Sequence, residues 1–156
     1  MSALLAAGRV KMERFALNAT NVTPETGVAV TNFTVDKVSD RLRLDFGVNG
    51  ITGVRNTNAG DGFYRVLIDV NGDGDFTDLT DGKFEFHRIL GDANGDTKVT
   101  DADLAVVNSQ IGQTGSNLEG DMDGSGGVNG FDRNYVNSQR AINRMLDEAL
   151  IQFLDD

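Results

Sequence analysis

The sequence predicts an α+β fold, with a small β-sandwich or open antiparallel sheet over residues 1–89 and a mainly α module over residues 90–156. Three observations predict it. From Gly27 to Leu90 the apolar residues recur with a period near two, and after Leu90 the period becomes helical. Residues 92–110 then match residues 121–139 at a constant offset of 29. A chain of 156 residues can bury a modest core plus a small stapled module, but not two large domains.

Taken in order, Ser2 to Ala7 can form a helical turn, and Arg9 to Ala19 reads equally as helix or strand. Val28–Val35, Arg41–Phe46, Phe63–Val70 and Lys83–Leu90 are rich in β-branched and aromatic residues and are divided by Gly, Asn and Asp clusters, so each is expected as a strand. Leu42, Leu44 and Phe46 alternate with Arg41, Arg43 and Asp45, the pattern of a strand with one buried face. Further on, Leu104, Val107 and Ile111 share one helical face, and Gly112 is placed to end that helix. A second helix is expected from Phe131 almost to the end of the chain. Its distal part carries an apolar stripe of Ile142, Met145, Leu146, Ala149, Leu150 and Phe153.

The duplication carries the chemistry. Asp92 aligns with Asp121, Asn94 with Asp123, Gly95 with Gly124, Val99 with Val128, and Asp103 with Asp132. Calcium is a hard cation that takes six to eight oxygens, and a twelve-residue loop can supply them from positions 1, 3, 5, the carbonyl of 7, and 12. In the first copy those positions are Asp92, Asn94, Asp96, the Lys98 carbonyl and Asp103. In the second they are Asp121, Asp123, Ser125, the Gly127 carbonyl and Asp132. Two calcium ions are therefore expected. Position 8 is Val in both copies, Val99 and Val128, where an apolar residue lets two loops pair through a short β contact. Thr97 departs from the ideal loop, since position 6 usually takes Gly at positive φ, and Ser125 puts a neutral hydroxyl at position 5.

An earlier segment repeats the theme. Asp69, Asn71 and Asp73 take positions 1, 3 and 5 of a loop between two strands, with Asp75 at 7 and Asp78 beyond. It reads either as a hairpin holding a third calcium ion or as an acidic turn.

A loop with Asp at position 12, a strand pattern where a calmodulin-like sensor has its entering helix, one helix after the loop, and a duplicate beyond the linker Gln113–Gly120 resembles the dockerin family, whose loops are of the EF-hand type. The resemblance covers about residues 90–142. It implies a calcium-folded two-helix module in an extracellular or cell-surface setting, binding a cohesin-like protein. It also implies partner contacts at Asp101 and Ala102 in the first copy and at Gly130 and Phe131 in the second. A β domain followed by such a tail also resembles the C-terminal ends of large secreted bacterial proteins.

Composition narrows the alternatives. Acidic residues outnumber basic ones 24 to 14, for a net charge of -10, which disfavours nucleic acid and anionic membrane surfaces as partners. Asp accounts for 19 of the 24 acidic residues, and 12 of those lie between Asp69 and Asp132, so the acid is concentrated where the loops are. With no Cys there is neither a disulfide nor a thiolate metal site. The apolar run Ala3–Ala7 is too short, and lacks the basic start, for a signal peptide or membrane span. No enzyme is expected: the single His, His87, lies in a strand pattern and reads as structural, and the Asp residues are claimed by ion binding. The function expected is a calcium-binding assembly module, the alternative being a calcium-rigidified structural domain of a larger surface protein. Carbohydrate binding is weaker, with no Trp and only Tyr64 and Tyr135 to stack on sugars.

Overall fold

The computed structural model describes residues 8–17, 27–39, 41–48, 50–51, 57–142 and 145. Its elements are β1 (Val10–Ala16), β2 (Val28–Ala29), β3 (Thr34–Val38), β4 (Arg41–Asp45), β5 (Gly62–Ile68), β6 (Gly82–Arg88), α1 (Asp101–Gln110) and α2 (Gly130–Arg140). Four strands form an antiparallel sheet in the order β2-β1-β5-β6, and β3-β4 form a separate hairpin. The fold is α+β.

The ambiguous segment after Arg9 is strand β1, inside the sheet. Its apolar residues stand at positions 10, 12, 15 and 17, a spacing that satisfies neither a helical nor a strand period alone. The register opposite β5 resolves it, since Met12 pairs with Val66 and Phe15 with Phe63. Met12 and Phe15 thus point to opposite faces, and both are buried. The expected strand Val28–Val35 is split. After β2 the chain leaves the sheet with one more bond, from the Val30 N–H to the Met12 carbonyl. The Asn32 amide then donates to the carbonyls of Gly50 and Ile51, and β3 starts at Thr34 in the second layer.

The two faces of the sheet carry different burdens. On one, Met12, Tyr64 and Val66 are buried beneath Phe33, Leu44 and Phe46 of the hairpin layer, with Tyr64 stacked on Phe86 at 5.0 Å between ring centroids. On the other, Phe15, Leu17 and Ile89 join Ala93, Val99, Val107, Val128 and Val136 in one cluster. That cluster spans the boundary expected at residue 89, so sheet and helices share a core. Further along this face Arg65 is bonded to Glu85 at 2.8 Å, and Lys83 lies 3.5 Å from the same carboxylate.

Asp61 fastens the junction. Its side chain is fully buried, and one oxygen accepts from Arg88 Nη1 at 2.7 Å and from the Leu90 N–H at 2.9 Å. Gly62 follows because a Cβ there would collide with the Phe15 carbonyl.

The second helix is shorter than its sequence pattern suggests. Helix α2 ends at Arg140, Ala141 and Ile142 form a turn, and Met145 makes an isolated antiparallel bridge with Lys98. A bridge requires extended backbone, so the helix cannot run through Met145. Ile142 and Met145 are exposed; Leu146, Ala149, Leu150 and Phe153 lie outside the described residues, as do Ser2 to Ala7.

Asp61→Ala should lower stability by about 2 to 3 kcal/mol, because it strips a buried N–H of its acceptor and leaves the partly buried Arg88 guanidinium with the Thr57 carbonyl but no carboxylate. Urea unfolding followed by circular dichroism measures this; an unchanged midpoint would show that the junction does not depend on Asp61.

Candidate metal centres

The Asp, Asn and Gly residues that form turns also build the two loops. In the first, Asp92 is the hub. Its Oδ1 accepts from the N–H of Gly95 at 2.8 Å and of Asp96 at 3.1 Å, and its Oδ2 from that of Thr97 at 3.0 Å. Asn94 Oδ1 accepts from the Asp96 N–H, and Asp96 Oδ1 from the Lys98 N–H, both at 3.0 Å. In the second loop Asp121 accepts from the N–H groups of Ser125 and Gly126 at 3.0 and 2.8 Å, and Asp123 from Ser125 at 2.9 Å. The Ser125 hydroxyl lies 3.2 Å from the Gly127 carbonyl and 3.5 Å from Asp121 Oδ1, which brings positions 1, 5 and 7 together.

Position 12 closes each loop and starts the helix. Asp103 is fully buried; its Oδ1 accepts from the N–H groups of Ala93 and Asn94, its Oδ2 from that of Thr100. Asp132 repeats this with Asp123 and Asn129. Thr100 and Asn129 in turn cap the helix N-termini through Ala102 and Phe131, completing a capping box at each. One carboxylate thus holds both ends of its loop.

Asp92, Asp96 and Asp103 each bring an oxygen within 4.8 Å of the others, and so do Asp121, Asp123 and Asp132. Two of the first three are nearly inaccessible to solvent, the Asp92 side chain being 2 % exposed and Asp103 0 %. At an effective dielectric of about 20, two unit charges at that separation repel by about 3 kcal/mol. A cation turns that cost into attraction. The remaining donors of each loop are oxygens too, which fits a hard divalent ion and not a thiophilic one. Two groups of three carboxylates could therefore hold a metal ion.

The loops do not pair through Val99 and Val128, as position 8 suggested. Both side chains are buried in the shared core, but the backbone partners lie elsewhere. Val128 accepts from the Gly112 N–H at 2.8 Å and donates to the Gln113 carbonyl at 3.0 Å, and Gly127 bridges Thr114. Lys98 of the first loop bridges Met145. Each loop edge is thus covered by the segment that follows the other repeat's helix. The repeated Gln residues cross over as well: Gln110 Oε1 accepts from the Gly120 N–H at 2.8 Å, and Gln139 packs on Gly91. These Gln residues are therefore packing groups. Asn108, Ser109 and Ser138 are exposed, and both Ser hydroxyls bond the carbonyl three residues back in their own helix.

The hairpin between β5 and β6 has the same turn chemistry with a different outcome. Asp69 is buried and accepts from the N–H groups of Gly72 and Gly74. Asn71 accepts from the Asp73 N–H, Asp73 from that of Asp75, and Asp75 from that of Thr77. The Asn71 amide donates to Asp73 at 2.9 Å, as that of Asn94 does to Asp96 at 3.0 Å in the first loop, and also to Asp78 at 2.8 Å. Asn71 pulls the Asp78 carboxyl down, but the charges of Asp73, Asp75 and Asp81, with its partial desolvation, leave it above the ordinary carboxylate range. The hydroxyl and N–H of Thr77 hold Asp75 below that range. Among the described residues only the two repeated loops gather three carboxylates within 4.8 Å. Arg9 pins this hairpin to β1 through the Asp69 and Val70 carbonyls.

His87, expected as a structural residue, lies beside the first loop. His87 Nε2 lies 3.0 Å from Asp92 Oδ2. The available signal was its position, five residues before the first ligand at the end of a strand. No family model, curated protein or solved structure matches this chain.

Thr97 holds φ at +74°, where its counterpart Gly126 stands at +88°. Thr97→Gly should relieve about 1 kcal/mol of strain and tighten the first site roughly fivefold. Calorimetric titration with the second site as internal reference checks this; equal affinities before and after would mean the loop is unstrained at Thr97.

Proposed function

We propose that this chain is a non-catalytic calcium-binding module of dockerin type, serving protein–protein assembly or attachment in a secreted or surface protein. The observation that carries the proposal is the twofold recurrence of three carboxylates within 4.8 Å, each set closed by a buried Asp that also caps the next helix. In the first site Asp92, Asn94, Asp96, the Lys98 carbonyl and Asp103 hold the ion. In the second, Asp121, Asp123, Ser125, the Gly127 carbonyl and Asp132 do so. Calcium suits these donors better than magnesium, which demands near-ideal octahedral geometry and usually keeps several waters. Bound calcium neutralises the clustered carboxylates and fixes the start of each helix.

A cohesin-like partner would meet the exposed starts of α1 and α2. Ala102 and Phe131 are both exposed there, Phe131 at 71 %, and Asp101 is ion-paired with Arg140. The second reading, a calcium-rigidified structural domain without such a partner, is favoured by the core that Phe15, Leu17 and Ile89 share with the helices. A pull-down with and without chelator separates the two, since only the assembly module loses a specific partner when calcium is removed.

Calorimetry should find two calcium ions per chain. At calcium about 1,000 times Kd each ion adds about 4 kcal/mol, so chelation should abolish slow hydrogen exchange at Leu104 and Val136. Equal protection with and without chelator would refute calcium-dependent folding.

A further inference from the structure

We propose that His87 is the positioning residue of the first metal site, the strut through which the sheet presets Asp92 for the ion. The inference rests on the calcium reading above and adds a residue outside the twelve-residue loop. The contact is 3.0 Å between His87 Nε2 and Asp92 Oδ2. An ionised carboxylate only accepts hydrogen bonds, so the ring carries its proton on Nε2 and donates it.

The donor comes from a rigid source. His87 sits in β6 opposite Phe63 of β5, and its neighbour Arg88 is tied to buried Asp61, which also holds the Leu90 N–H. The ring is therefore placed by the sheet, not by the loop it serves. It meets the oxygen that also accepts from Thr97, the residue at positive φ. The loop's own grip on Oδ2 depends on its strained turn, and His87 adds a second donor at that atom.

The second site is built otherwise. The residue 29 positions after His87 is Ser116, which is exposed in the linker, and Asp121 takes its hydrogen bonds from Ser125 and Gly126 of its own loop. The two sites thus differ in what holds their first ligand. A donor that hydrogen-bonds a ligating carboxylate without touching the ion fixes the plane of that carboxylate before the ion arrives, and losing one typically costs 10- to 100-fold in metal affinity.

The test is calorimetric titration of the full chain with calcium chloride, comparing the native protein with His87→Ala and His87→Gln. The amide N–H resonances of Gly95 and Gly124 assign each affinity to its loop. In His87→Ala the first site should weaken roughly 10- to 100-fold and the second much less. His87→Gln, which keeps an N–H at similar reach, should recover most of the loss. Unchanged affinities in His87→Ala, an equal fall at both sites, or a Gln variant no better than Ala would each overturn the proposal while leaving a two-ion native protein intact. A native chain that binds no calcium would overturn the calcium reading, and the role of His87 with it.

Discussion

The module depends on one arrangement used twice, a buried carboxylate that bonds backbone at both ends of its loop. Asp103 and Asp132 accept from the early loop residues and from the residue just before the helix, so the same side chain closes the loop and starts the helix. Such a group is expensive to bury as an anion. Its backbone donors offset part of that cost. Three carboxylates within 4.8 Å of one another also repel, and a cation held between them would remove that repulsion.

Among the described residues, the four-stranded sheet and its junction bring these loops to one place. The sheet contributes Phe15, Leu17 and Ile89 to the core that also buries Val107 and Val136, so the helices are not a freely swinging appendage. Asp61, Arg88 and Leu90 fix the direction in which the chain leaves β6, and His87 meets Asp92 on that same path. The opposite face of the sheet is occupied by the hairpin layer, which leaves the loop-bearing module a single side on which to dock.

Much of this was legible in the sequence. The offset of 29 located both loops and the carboxylates gathered in each, because the spacing of such residues is a local property that turn-forming residues enforce. The register of β1 was not legible, since Val10, Met12, Phe15 and Leu17 serve two faces of a sheet and blur the period of two. The end of α2 was also hidden: the apolar stripe runs through Met145, yet Met145 bridges Lys98 about fifty residues away, and no local pattern encodes a partner that distant. The His87–Asp92 contact was hidden for the same reason, as a solitary strand histidine gives no sign of which carboxylate it will meet. The hairpin matches the same residue pattern, and there Asn71 donates to both Asp73 and Asp78 without three carboxylates coming within 4.8 Å of one another.

The exchange of covers between the repeats has a topological consequence. Gly127 of the second loop is bridged by Thr114 behind α1, and Lys98 of the first loop by Met145 behind α2. Neither repeat supplies the residue that bridges its own loop edge. A single repeat would expose a short run of unpaired backbone N–H and C=O groups, and its complement would be found on a second copy related by a twofold axis. In terms of symmetry the module is an isologous homodimer written on one chain. The linker between its halves replaces a concentration-dependent encounter with an intramolecular one.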